Sequence, residues 1–161
     1  MKKMKRISFY LEIIILVMID QITKLAVINC MSDKTVTIIK GILNFSYCEN
    51  KGIAFSIGNG HVPIFIIINM ILISSLIFYY EKNRFELKGI SKMFFTMVIA
   101  GGISNLIDRI TRGFVVDFID INELLDFAIF NVADIYIVIG VIGIALKYII
   151  PGTKKDDKKE I

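Results

Sequence analysis

The chain has 161 residues, enough for one domain, with 55% hydrophobic residues, a mean hydropathy of +0.69 and a formal net charge of +4. The apolar residues fall in long blocks and the basic ones cluster between them, a pattern of membrane topology signals that excludes a soluble domain and a nucleic-acid binder. His61 is the only histidine and no His-Glu-x-x-His occurs, which rules out a zinc membrane peptidase and disfavours a serine–histidine one.

The start carries Lys2, Lys3, Lys5 and Arg6, followed by a mostly apolar run over 7–30. A basic start, an apolar stretch and Val27-Ile28-Asn29-Cys30 mimic an export signal. Asn29 stands where a small residue is expected, Asp20 and Lys24 interrupt the run, and its length approaches the ~20 residues of a membrane crossing. A retained first membrane helix is therefore expected. Further apolar runs at 62–80, 92–110 and 128–150 predict three more, because backbone groups in lipid must be bonded within the segment.

Lys82, Arg84, Lys88 and Lys92 lie between the second and third runs, and Lys147, Lys154, Lys155, Lys158 and Lys159 at and beyond the end of the fourth. The connections 31–61 and 111–127 are poorer in Lys and Arg. The positive-inside rule predicts four transmembrane helices with both termini in the cytoplasm. The alternation of Thr35 to Ile39 and Leu43 to Tyr47, with turn signals at Lys40-Gly41 and Gly58-Asn59-Gly60, predicts a small extracytoplasmic β-sheet between helices 1 and 2. Residues 115–130 suit a strand or a short amphipathic helix at the interface. One membrane domain over 1–151 and a charged, disordered cytoplasmic tail over 152–161 complete the layout. Cys30 and Cys48 both fall in the outer region, and a disulfide and two separate thiols are both compatible with their spacing.

This topology gathers the polar residues. Asp20 and Lys24 lie toward the outer end of the first helix, Asn105, Asp108 and Arg109 at the outer end of the third, and Asn131 and Asp134 in the first turns of the fourth. Ionisable residues in a membrane segment are costly and mark function. Asp108 and Asp134 are expected to face one another, each with an Asn three positions earlier on the same helix face to hold its rotamer. Two neighbouring carboxyl groups away from water share a proton, which supplies a base to activate water and an acid for a peptide carbonyl. The small residues Ala100, Gly101, Gly102 and Ser104 would admit a neighbouring helix closely.

Plainer roles suit other groups. Asp20 and Lys24 have the i,i+4 order of a helix ion pair, with Lys24 snorkelling outward. Arg109 would pair with Asp117 or meet lipid headgroups. Asp120, Glu123 and Asp126 read as a solvated acidic face, and His61 as an exposed loop residue. A proton-coupled transporter would need polar groups along the whole crossing, whereas the inner halves of helices two to four are almost purely apolar. A non-enzymatic assembly helper would tolerate Asp-to-Asn changes.

Five segments in order carry a family resemblance. They are Asp20-Gln21-Ile22-Thr23-Lys24, Asn50-Lys51-Gly52-Ile53-Ala54-Phe55, Gly102-Ile103-Ser104-Asn105-Leu106-Ile107-Asp108-Arg109, Val115-Val116-Asp117-Phe118 and Phe130-Asn131-Val132-Ala133-Asp134. Together they resemble the lipoprotein signal peptidase (signal peptidase II) family of bacterial membrane aspartic proteases, over nearly the whole chain. The resemblance implies Asp108 and Asp134 as the catalytic dyad. It also implies Asn50, Gly52, Asn105, Arg109 and Asn131 as substrate-binding and bracing residues, with Asp20, Lys24 and Asp117 in support. The implied substrate is a diacylglyceryl-modified prolipoprotein, cut before the lipidated cysteine by a monomer in the bacterial cytoplasmic membrane, without metal or cofactor. Globomycin-like peptides would block the site, the outer sheet would cradle the substrate, and Gly52-Ile53-Ala54-Phe55 would act as a lid.

Overall fold

A computed structural model describes residues 2–31, 34–52 and 61–149. It contains four helices and three strands, in the order α1 (Lys2–Met31), β1 (Val36–Ile39), β2 (Leu43–Asn50), α2 (Val62–Asn83), α3 (Gly89–Arg112), β3 (Val115–Asp120) and α4 (Val132–Ile149). The Gly58-Asn59-Gly60 turn, the Ile53-Ala54-Phe55 part of the lid and the tail over 152–161 lie outside the described residues.

Three of the helices, α2, α3 and α4, are long and apolar enough to cross a membrane. α1 is the longest, yet its middle carries Glu12, Asp20 and Lys24. These charges do not face lipid unpaired. Glu12 binds Lys92 at 2.5 Å, and Asp20 and Lys24 are wholly buried within the bundle. The opposite face of α1 presents Leu11, Ile14, Met18, Ile22 and Leu25, as α2 presents Ile64, Ile67, Ile71 and Phe78. An exposed apolar surface of this extent suits lipid and would aggregate in water.

α3 is the central helix, packed against α1, α2 and α4. Its small residues permit this. A methyl group at Gly101 would collide with the Ala133 carbonyl of α4, and one at Gly102 would sit 3.1 Å from Ile73 of α2. Gly140 of α4 approaches as closely from the other side, its missing Cβ falling 2.7 Å from the Phe94 carbonyl oxygen. Toward one end of the bundle, Phe9, Ile13, Tyr80, Phe95 and Ile99 form an apolar core, with the Phe9 and Tyr80 rings stacked at 3.6 Å. Apart from Ser91 and Thr96 near its start, the buried polar residues collect toward the other end of α3, whose last turn carries Arg109 and Arg112 and closes on Gly113 in the left-handed conformation (φ 79°).

The sheet differs from expectation in its membership. It is antiparallel in the order β1-β2-β3, so its third strand comes from beyond α3 and not from the 31–61 connection. Asn50 pairs with Val115 and Cys48 with Asp117. After Asp120 the chain forms no helix but returns over 121–130, and Phe130 exchanges backbone hydrogen bonds with Ile119. α4 consequently starts at Val132, later than the apolar run beginning at 128 suggests. Cys30 and Cys48 are free thiols, Cys30 exposed and Cys48 half-buried.

Candidate active site

The site is built around Lys24. Its ammonium group has three N–H donors, and each finds an oxygen: Asp20 Oδ2 at 2.7 Å, Asp108 Oδ2 at 2.9 Å and Asn105 Oδ1 at 2.9 Å. The expected Asp20–Lys24 pair is present, but Lys24 points into the bundle and does not snorkel. An inward Lys is tolerable because two carboxylates and an amide replace its water. Asp20 also accepts from Ser104 Oγ at 2.6 Å and from the Ala133 N–H at 2.8 Å, so it satisfies one of the open donors at the start of α4.

Asp108 is wholly buried and its oxygens are fully engaged. Oδ2 takes Lys24 and the Val116 N–H at 3.2 Å, while Oδ1 takes Gln21 Nε2 at 3.1 Å and the Arg112 guanidinium. Two cations therefore converge on one carboxylate. Asp108 thereby ties α1, α3 and the start of β3 together.

Asp117 and Asp134 are placed differently. Asp117 Oδ2 accepts from Asn50 Nδ2 at 2.9 Å and Oδ1 from Asn131 Nδ2 at 2.6 Å. Asp134 Oδ1 accepts from Asn105 Nδ2 at 2.8 Å and Oδ2 from the Asn131 N–H at 3.1 Å. Asn131 thus touches both carboxyl groups. Among the described residues neither enters an ion pair. The Asp117 carboxyl is pushed up to about 7, first by burial and next by the charge of Asp134. Asp134 remains partly exposed, and Asp117 lines a cavity between the sheet and the 121–130 return.

The two asparagines act otherwise than their spacing suggests. Asn131 does not share a helix face with Asp134; it caps α4. Its Oδ1 accepts the Asp134 N–H at 2.9 Å while Asp134 accepts the Asn131 N–H, a reciprocal capping box. Asn105 does lie on α3 with Asp108, yet its amide crosses to Asp134. Arg109 donates to the Gly52 carbonyl at 3.0 Å instead of pairing with Asp117. Asn50 Oδ1 in turn accepts the Gly52 N–H at 3.0 Å, which fixes the end of β2 over the site.

All ten residues singled out from the sequence therefore meet in one polar region. Three contributors went unassigned: Gln21, Ser104 and Arg112. The i,i+4 spacing of Asp108 and Arg112 is the one sequence signal that points to any of them. Among the described residues no group of three or more His, Cys, Asp and Glu side chains is placed to hold a metal ion.

A family model described as signal peptidase (SPase) II matches residues 12–150. A lipoprotein signal peptidase of Fusobacterium nucleatum is 38% identical over 143 residues, covering 88% of this chain and 86% of its own. One from Caldicellulosiruptor bescii is 40% identical over 124 residues, covering 77% of this chain and 79% of its own. A solved bacterial membrane enzyme superposes with a TM-score of 0.78 at 32% identity, over 96% of this chain and 93% of that one.

Proposed function

Because the chain belongs to the signal peptidase II family, whose activity is the removal of signal peptides from prolipoproteins, we propose that it is an aspartic endopeptidase working at the outer face of the bacterial cytoplasmic membrane. It crosses that membrane four times with both termini inside, α1 completing the set because its charges are paired inside the bundle. Its substrates are diacylglyceryl-modified prolipoproteins, cut before the lipidated cysteine. A substrate anchored by its lipid presents the scissile bond at a fixed depth, which lowers the entropic cost of reaching the carboxyl groups. The chain acts as a monomer without metal or cofactor, and globomycin-like peptides compete for the same site.

The acid/base pair in this proposal is Asp117 with Asp134, and Asp108 is a positioning residue. The observation that carries it is the contrast in partners. Asp108 is occupied on both oxygens by the cations of Lys24 and Arg112, which leaves it no free oxygen for a water. Among the described residues Asp117 and Asp134 hold only amide and backbone donors; they share Asn131, and the charge of Asp134 acts on Asp117. Near neutrality the pair holds one proton between them. The ionised member takes a proton from water as that water attacks the peptide carbonyl, and the protonated member donates to the carbonyl oxygen. Arg109 and Asn50 brace Gly52, while Asn105 and Asn131 hold the Asp134 rotamer.

Cleavage of a lipidated precursor by purified protein in a bilayer mimetic tests the assignment. Asp117→Asn and Asp134→Asn should each lower kcat by roughly 10²–10⁴-fold with folding intact, as loss of general acid or base catalysis does. Asp108→Asn should lower thermal stability and cost less activity. Near-normal turnover by Asp117→Asn, with a folded and inactive Asp108→Asn, would return the role to Asp108. Loss of activity in a chelator would overturn a metal-free mechanism.

A further inference from the structure

The cavity beside Asp117, about 320 Å³ in volume, is not used by the chemistry described so far. Cys48, Asn50 and Asp117 form one wall, and Asn122, Asp126, Phe127, Ala128 and Ile129 the other. The strand register explains the first wall: Cys48 is the direct partner of Asp117 across β2 and β3, so both side chains stand on one face of the sheet. The second wall is the return from β3 to α4. Asn122 holds it in shape, donating from its N–H and Nδ2 to Asp120 Oδ1 at 2.9 and 2.8 Å and accepting the Phe127 N–H at 3.3 Å. The cavity is thus continuous with the proposed acid/base pair and walled by sheet and loop, not by the membrane helices.

Resting on the peptidase reading, we propose that this cavity receives the first residues of the mature chain, immediately after the lipidated cysteine, and that Asp126 makes it select against acidic side chains there. The physics of the substrate decides the occupant. The apolar signal segment and the acyl chains stay with the membrane helices. The mature chain is the portion that continues into water, and this space, lined by both polar and apolar side chains, lies between sheet and loop beside the carboxyl pair. The charge of the wall sets its preference. Between Gly113 and Asn131 the chain carries Asp117, Asp120, Glu123 and Asp126 and no Lys or Arg. Burial and the neighbouring Asp117 push the Cys48 thiol up, so Cys48 itself adds no charge to that wall. Asp126 is exposed at the rim and, among the described residues, enters no ion pair that an incoming side chain would have to break. A cationic side chain is attracted, a neutral one accepted, and an acidic one repelled.

Two measurements on the full-length protein test this. In the first, precursors that differ only in the residue after the cysteine, carrying Lys, Ser or Glu there, are compared by kcat/KM. Lys should exceed Glu by roughly fivefold at low salt, as expected of one exposed charge contact on each side, and the ratio should shrink with added salt. Asp126→Lys should erase or invert the order of the Lys and Glu precursors, each ratio taken against the Ser precursor cleaved by the same variant. In the second, Cys48 is alkylated in a Cys30→Ser background carrying Asp134→Asn, so that bound precursor is not turned over. Precursor should slow alkylation severalfold, and a precursor truncated at the cysteine should not. Equal kcat/KM for Lys and Glu with unprotected Cys48 would overturn the cavity assignment while leaving the peptidase reading intact. Protection of Cys48 by a precursor that the unsubstituted protein does not cleave would do the reverse, removing the peptidase reading and keeping the binding site.

Discussion

Replacing Lys24 by Met should be the most damaging conservative change in volume that this protein can suffer. The ammonium group is wholly buried and supplies a donor to each of Asp20, Asp108 and Asn105 at 2.7, 2.9 and 2.9 Å. Removing it leaves Asp20 with Ser104 and a backbone N–H, and Asp108 with Arg112 as its remaining cation. Breaking a buried pair by deleting one partner costs about 3–5 kcal/mol, since the other charge stays in a medium that solvates it poorly. For a chain of this length each kcal/mol moves the melting midpoint by roughly 2–4 °C, so a fall on the order of 6–20 °C is expected. Circular dichroism of the purified protein in detergent, melted in parallel with the unsubstituted chain, reads this directly. Two controls sharpen it. Lys24→Arg should rescue poorly, because a planar fork cannot reproduce three divergent donors. Asp108→Asn added to Lys24→Met should recover part of the loss, because one of the stranded charges is then gone. A Lys24→Met protein that melts within about 2 °C of the original would refute the reasoning that this charge cluster holds α1, α3 and the start of α4 together.

Two further predictions concern the proposed pair. Asp117 has its folded-state carboxyl raised to about 7 from an ordinary 3.8, so between those values the folded chain binds more protons than the unfolded one. Stability should therefore fall as pH rises from about 4 to 7, by on the order of a few kcal/mol, and Asp117→Asn should flatten that slope in melts across the range while abolishing cleavage. The same protonation sets activity, which should decline above pH 7 as the shared proton is lost. Asn131→Ala removes both the cap of α4 and a donor to Asp117; it should cost about 1–2 kcal/mol in stability and lower kcat by more than that loss of folded protein explains, with a matched drop in both quantities counting against a positioning role.

Most of the helical framework was legible because its signals are local. Apolar runs of membrane length locate α2, α3 and α4 to within a few residues, and Ala100, Gly101, Gly102 and Ser104 mark where α3 is approached closely. The ambiguities arose where one spacing serves two geometries. Asn131 and Asp134 are three residues apart both on a helix face and in a capping box, and only the position of the first turn decides between them. Asn105 has the spacing to serve Asp108 on its own helix but serves Asp134 on the next. β3 reads as a strand or an amphipathic helix until β2 is beside it.

By itself, the order of residues determined the membrane character, the segments that become helices and the set of acidic and amide groups that assemble at one end, since each depends on hydropathy or on residues near in sequence. Which carboxyl groups meet cations depended on the tertiary structure alone. Lys24 and Arg112 turn toward Asp108, whereas among the described residues Asp117 and Asp134 take their hydrogen bonds from neutral donors. A carboxyl group's basicity is set by the charges and solvent within a few ångströms, and those neighbours come from α1, α3, β2, β3 and α4 together.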